Sequence, residues 1–142
     1  MQSVVLPRHL VQQMLDHARA SPHAEVCGLL SARDGQPSRC IAVPNVAQQP
    51  QRSFRMDPKQ QIDAMRGMRE QGEQLYGIYH SHPQGPATPS ATDLEQAAYP
   101  EALYFIVSLN GDGEPLLRAY RINKGKAEAV QLVTDPVDAR SH

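Results

Sequence analysis

At 142 residues, with 14 Lys+Arg against 15 Asp+Glu and a formal net charge of −1, the chain has the length of one domain and no basic field. That balance argues against nucleic acid or an anionic membrane surface as a partner. No apolar run approaches the roughly 20 residues of a membrane span. Val4-Val5-Leu6 ends at Pro7, too short for a secretory leader, so a cytoplasmic protein is expected.

The spacing of Leu10, Val11, Met14, Leu15 and Ala18 predicts a helix from Pro7 to Ser21, stopped by Ser21-Pro22. Glu25 to Ser31 and Cys40 to Val46 read as two strands around Arg33-Asp34-Gly35-Gln36-Pro37-Ser38, a hairpin connection. Asp57-Pro58 starts a second helix, with Asp57 as cap and Pro58 in the first turn. It should run to about Gln71-Gly72 and bury Ile62, Met65 and Met68. Leu75 to His80 is a short strand, and Ser90 to Ala98 a third helix ending before Pro100. Leu103 to Leu109 is the most β-like segment and is expected at the centre of a sheet. Turns at Asn110-Gly111-Asp112-Gly113 and Asn123-Lys124-Gly125-Lys126 lead into strands at Leu116 to Ile122 and Ala127 to Val133. These elements predict a mixed α/β (α+β) single domain over residues 1–134, a mostly antiparallel mixed sheet flanked by helices. Residues 135–142 read as a loose polar tail.

Chemistry concentrates in His80-Ser81-His82, followed after seven residues by Ser90 and after two more by Asp93. On a strand, His80 and His82 project from one face roughly 6.5–7 Å apart along the backbone, and their rings can converge on one metal. The Pro- and Gly-rich segment after His82 cannot continue the strand, but it can return the next helix toward the histidines. Ser90 and Asp93 also read as an ordinary helix start, serine cap with an acid three residues on. Two neutral imidazoles and one carboxylate suit a zinc ion with an open fourth position. Glu25 lies in the apolar run Ala24-Glu25-Val26-Cys27-Gly28-Leu29-Leu30. Activating a metal-bound water would explain an acid there, and so would a solvent-exposed strand start. Cys27 and Cys40 form no C-x-x-C pair and read as buried residues, with Cys27 close enough to Glu25 to approach the metal. His9 and His17 read as solvated helix positions.

Together, Glu25, His80-Ser81-His82, Ser90 and Asp93 make the chain resemble the JAB1/MPN/Mov34 (JAMM) zinc metalloprotease family, with both fixed intervals intact and a matching element order up to about Val133. The resemblance implies a zinc-dependent peptidase or isopeptidase with one Zn2+ per chain. His80, His82 and Asp93 would hold the metal. Glu25 would be the general base and Ser90 the oxyanion donor. Beyond Asp93 there is no cysteine and only His142, so the second zinc site of some deubiquitinating members cannot form. The compact form resembles the stand-alone bacterial members, which implies a substrate at the Gly-Gly C-terminal tail of a small ubiquitin-like sulfur-carrier protein. Such a tail would bind as an added strand in a narrow channel, with Tyr79 and the Gly85–Pro89 loop as candidate walls.

Other classes fit less well. A zinc nucleobase deaminase needs H-x-E and P-C-x-x-C, both missing. A RadC-like DNA-associated relative shares the His-x-His-Pro segment but predicts a basic surface. A serine hydrolase built on Ser90 lacks the G-x-S-x-G elbow, and a Cys27 nucleophile would sit in an apolar strand that raises its pKa. A non-catalytic binding module for a ubiquitin-like partner stays open, and Glu25→Gln distinguishes it from the enzyme.

Overall fold

A computed structural model describes residues 2–110 and 114–135. Seven strands form one sheet: β1 (Ser3–Pro7), β2 (Cys27–Arg33), β3 (Gln36–Val43), β4 (Gln74–His82), β5 (Leu103–Ser108), β6 (Leu116–Asn123) and β7 (Lys126–Asp135). Their order is β1-β7-β6-β5-β4-β2-β3. The β1/β7 and β4/β5 pairs are parallel and the others antiparallel, so the sheet is mixed and mostly antiparallel, as expected. β5 is the central strand, with all six residues buried.

Helices cover both faces. α1 (Arg8–Arg19) buries Leu10, Met14 and Ala18, and packs with Leu6, Leu30, Tyr79 and Phe105 on one side. α2 (Pro58–Glu70) and α3 (Ala91–Gln96) lie on the other, where Met68 and Leu94 join Leu29, Ile78, Tyr104 and Ile106. Asp57 caps α2 by accepting from the Lys59 and Gln60 N–H groups. Ile62, expected inside, is 56% exposed; Met65 and Met68 take the inward stripe.

Several boundaries differ from expectation for physical reasons. β1 makes a strand of what the sequence shows only as a short apolar run; its alternation buries Val4 and Leu6 and leaves Val5 exposed, and its partner is distant β7. The β2–β3 connection is a two-residue turn, with Asp34 and Gly35 both at positive φ, the geometry that matches strand twist. β3 therefore begins before Pro37, which the sheet tolerates because β3 is an edge strand. The turn at 124–125 has the same two-residue form. Part of the Asn110–Gly113 turn and nearly all of the expected C-terminal tail lie outside the described residues. Among the described residues, no helix is long and apolar enough to cross a membrane.

Candidate metal centre

Strand alternation sets the site. Along β4, Tyr79 and Ser81 face α1's side, while His80 and His82 face the side that carries α3. The parallel β4/β5 pairing holds His80 against Ile106 and His82 against Ser108. After β4 the chain turns through a loop fixed by Ser108 Oγ donating to the Gly85 carbonyl at 2.6 Å and by Tyr120 Oη donating to that of Ala87. This loop returns the chain to Ser90, where a reciprocal capping box starts α3. The Ser90 hydroxyl accepts from Asp93 N–H at 3.0 Å, and the Asp93 carboxylate accepts from Ser90 N–H at 2.9 Å.

The helix start thereby aims Asp93 at the histidines. Its Oδ2 lies 3.1 Å from His80 Nε2 and 3.0 Å from His82 Nε2, and the two Nε2 atoms are 3.1 Å apart. His82 Nδ1 sits 2.7 Å from the Pro86 carbonyl, which can only accept, so Nδ1 carries a hydrogen. In a neutral His82 the Nε2 is then a bare lone pair facing a carboxylate oxygen. Three electron-rich atoms this close require a proton or a cation between them. The donor set therefore fits a metal with N/O preference.

Glu25 lies just before β2 rather than within the strand predicted for it. It is 6% exposed, and its carboxylate falls within 4.8 Å of the two imidazoles. Its backbone is held from three directions. Glu25 N–H donates to the Pro50 carbonyl at 2.7 Å, and Asn45 Nδ2 donates to the Glu25 carbonyl at 2.9 Å. Next door, the Val26 N–H donates to Ser81 Oγ at 2.9 Å and the Val26 carbonyl accepts from Ser81 N–H at 3.0 Å. By contrast, Glu25 Oε1 is buried with no hydrogen-bond partner.

The electrostatics follow from these contacts. Burial pushes the Glu25 carboxyl up from 4.5 to about 7; His82 opposes the shift and Asp93 adds to it. Burial also acts to raise Asp93, but hydrogen bonds from His80 and His82 outweigh it and hold that carboxyl well below the usual range. Burial lowers His80. His82 is raised despite burial, because Asp93 and the Pro86 carbonyl both favour its charged form. Of the two imidazoles, His82 is thus the more readily protonated when no metal is bound.

All five expected residues meet here. A cavity of about 410 Å³ is lined by Glu25, His82 and Ser90, with Gln51, Arg52 and the Pro83–Pro86 and Thr88–Pro89 stretches. Three expectations change. Tyr79 is fully buried on the opposite face, its hydroxyl 2.7 Å from His17 Nδ1, so it walls no channel and His17 is not a solvated position. The Cys27 thiol donates to the Val43 carbonyl at 3.3 Å and is pushed up to about 12 by burial and by Glu25. Neutral at physiological pH, it stands outside the Glu25–His80–His82 donor group. Sequence reading also missed Phe54, whose ring stacks on His80 at 4.4 Å, and Asn45, whose side chain makes four bonds to loop 45–55 and Glu25. Neither carries a spacing signal, since their partners are set by tertiary placement.

The family described as prokaryotic homologs of the JAB domain matches residues 7–123. The chain belongs to the prokaryotic JAB family. It is 36% identical over 104 residues to a desampylase of Haloferax volcanii, covering 69% of this chain and 75% of the relative. It is also 36% identical to the CysO-cysteine peptidase of Mycobacterium tuberculosis, over 86% of this chain and 84% of that one. Among solved structures, a Desulfitobacterium hafniense protein superimposes with a TM-score of 0.83 at 33% identity, covering 96% of each chain. The family membership agrees with the JAB1/MPN/Mov34 resemblance, and the Haloferax and Mycobacterium relatives are named for hydrolytic work.

Proposed function

We propose that this chain is a zinc-dependent peptidase that hydrolyses the amide bond after the Gly-Gly end of a small ubiquitin-like sulfur-carrier protein. The observation that carries the reading is the convergence of His80, His82 and Asp93 to within 3.1 Å of one another beside a buried carboxyl with an unpartnered oxygen. The names of the relatives, one a CysO-cysteine peptidase and one a desampylase, support a ubiquitin-like substrate.

In this reading His80, His82 and Asp93 hold the metal. When bound, zinc supplies Lewis-acid polarisation and brings the pKa of water toward about 7. Glu25 takes one proton from the attacking water; its carboxyl, poised at about 7 in the metal-free site, suits a base at neutral pH. The water oxygen bonds to the scissile carbonyl carbon, and the negative charge moves to the carbonyl oxygen. Ser90 Oγ accepts from Asp93 N–H, which leaves its own O–H to donate to that oxygen. Glu25 then delivers the proton to the amide nitrogen as the C–N bond breaks, leaving a free amine and, on the carrier, a carboxylic acid that loses the remaining water proton to solvent. The Gly85–Pro89 loop, pinned by Ser108 and Tyr120, lines one side of the cavity and would be the wall that selects glycine.

Metal content by plasma emission, for wild type and His82→Ala side by side, is the first test, followed by mass-spectrometric cleavage of a Gly-Gly-extended carrier. About one zinc per chain, lost in the variant, with cleavage after Gly-Gly, is the expected result. Wild type that takes up no zinc on reconstitution and leaves the carrier intact would overturn the reading.

A further inference from the structure

The cavity beside Glu25 is lined in part by a residue that the hydrolytic chemistry above does not use, Arg52. Arg52 is exposed, and among the described residues no ion pair or hydrogen bond engages its side chain. It is the one lysine or arginine among the residues lining this cavity; the neighbouring Arg55 lines hollows that also contain Phe54 and Gln96.

Its placement is built rather than incidental. The Arg52 N–H donates to the Gln49 carbonyl at 3.0 Å. On one side of it, the Pro50 carbonyl accepts from Glu25 N–H at 2.7 Å. On the other, the Ser53 carbonyl accepts from Asn45 Nδ2 at 3.0 Å, and the same amide group donates to the Glu25 carbonyl. Arg52 is thus stitched on both sides to the backbone of the residue proposed to return a proton to the leaving nitrogen.

We infer that Arg52 reads the α-carboxylate of the leaving group, so that the preferred substrate ends in a single amino acid after Gly-Gly. The inference rests on the peptidase reading above. If Glu25 protonates the leaving nitrogen, the leaving residue occupies the cavity that Glu25 shares with Arg52. A C-terminal residue carries its carboxylate only two bonds from that nitrogen, within reach of a long side chain whose backbone is anchored to Glu25. In a cavity that already holds the Glu25 acid, a second carboxylate is unfavourable without a cation. A planar guanidinium fork meets it with two parallel charge-assisted bonds. A leaving lysine side chain in an isopeptide, or a longer peptide, presents no carboxylate at that position.

The experiment compares two carriers extended by one residue after Gly-Gly, one with a free C-terminal carboxylate and one with a carboxamide. Each is assayed by mass spectrometry with zinc-loaded wild type, Arg52→Gln and Arg52→Lys. Binding of both carriers to Glu25→Gln, with and without Arg52→Gln, is read by fluorescence anisotropy. Wild type should favour the acid by about 10–100-fold in kcat/KM, mostly through KM. Arg52→Gln should bring the ratio toward one, Arg52→Lys should fall between, and the binding preference should change in parallel. Equal cleavage of both carriers by wild type, or an undiminished preference in Arg52→Gln, would overturn the inference while leaving the peptidase reading intact. Cleavage of neither carrier by wild type would remove both.

Discussion

Replacing Glu25 by glutamine should lower activity by orders of magnitude and, in metal-free protein, raise stability. Glutamine keeps the shape of the side chain and removes its charge. Loss of a general base lowers kcat/KM by about 10²–10⁴-fold. The stability change has the opposite sign because the fold holds this carboxyl at a disadvantage. It is 6% exposed, with one oxygen unpartnered, and burial pushes it from 4.5 to about 7. That displacement corresponds to at most about 3–4 kcal/mol against the charged form. The carboxyl also opens onto a cavity that solvent can enter, so about 1–2 kcal/mol is the expected net effect. For a chain of this length that is about 3–10 °C in Tm. The pH dependence carries the signature. Between 4.5 and about 7 the folded wild type binds more protons than the unfolded chain, so its stability falls as pH rises through that window. The variant lacks this loss, so the gap between the two melting curves should open from pH 4.5 to 7 and stay level above it. Thermal melts of chelator-treated protein at half-unit pH steps measure it. A gap that does not change with pH, or a variant less stable at pH 8, would refute the burial argument.

Ser90→Ala should lower kcat by about 10²–10³-fold through the lost oxyanion donor and cost about 1 kcal/mol through the lost cap of α3; steady-state kinetics beside thermal melts separate the two effects. Gly28→Ala should destabilise by about 1–3 kcal/mol, since a Cβ there would meet the Ile41 carbonyl at 2.6 Å and the Tyr79 ring closer still, and denaturant midpoints report it. Glu73, buried under a bidentate hydrogen bond from Arg39 and a bond from Ser38, is held below its ordinary 4.5. Its contribution is present above pH 4.5 and lost as pH falls through its lower folded value. Glu73→Gln should therefore cost about 1–2 kcal/mol at pH 7 and flatten the acid limb of a pH–Tm curve.

The parts of the molecule that were legible in sequence are those whose signal is local. Asp57-Pro58 announces α2 because capping needs only neighbouring residues, and His80, His82, Ser90 and Asp93 announce themselves through chemistry at fixed spacing. β1 was hidden because three apolar residues carry no pattern of their own; only pairing with β7, from the other end of the chain, makes them a strand. The loop from Asn45 to Met56 was equally opaque. Its order comes from one asparagine side chain making four bonds to backbone groups, and nothing in composition distinguishes that asparagine from a solvated one. Phe54 over His80 and Arg52 beside Glu25 belong to the same loop and were missed for the same reason. His17 looked like a surface position until β4 delivered the hydroxyl of Tyr79 to it.

The two carboxylates of the site show how one fold can set neighbouring acids to opposite charge preferences, as the proposed roles of ligand for Asp93 and proton carrier for Glu25 require. Asp93 and Glu25 approach the same pair of imidazoles, and both are largely removed from solvent, yet they are driven in opposite directions. The difference is the supply of donors. Asp93 Oδ2 faces His80, His82 and the Ser90 N–H, so its charge is solvated by the protein at every pH where those donors persist. Glu25 Oε1 faces none, and the hydrogen bonds that hold Glu25 all go to its backbone and to Val26 beside it. A carboxylate with its donors supplied is suited to stay charged as a ligand; one fixed in place but left unsolvated is suited to exchange a proton near neutral pH. The capping box therefore acts twice, starting α3 and aiming Asp93 at the imidazoles that chiefly hold it charged, while Ser81 and Asn45 hold Glu25 in position without quenching it.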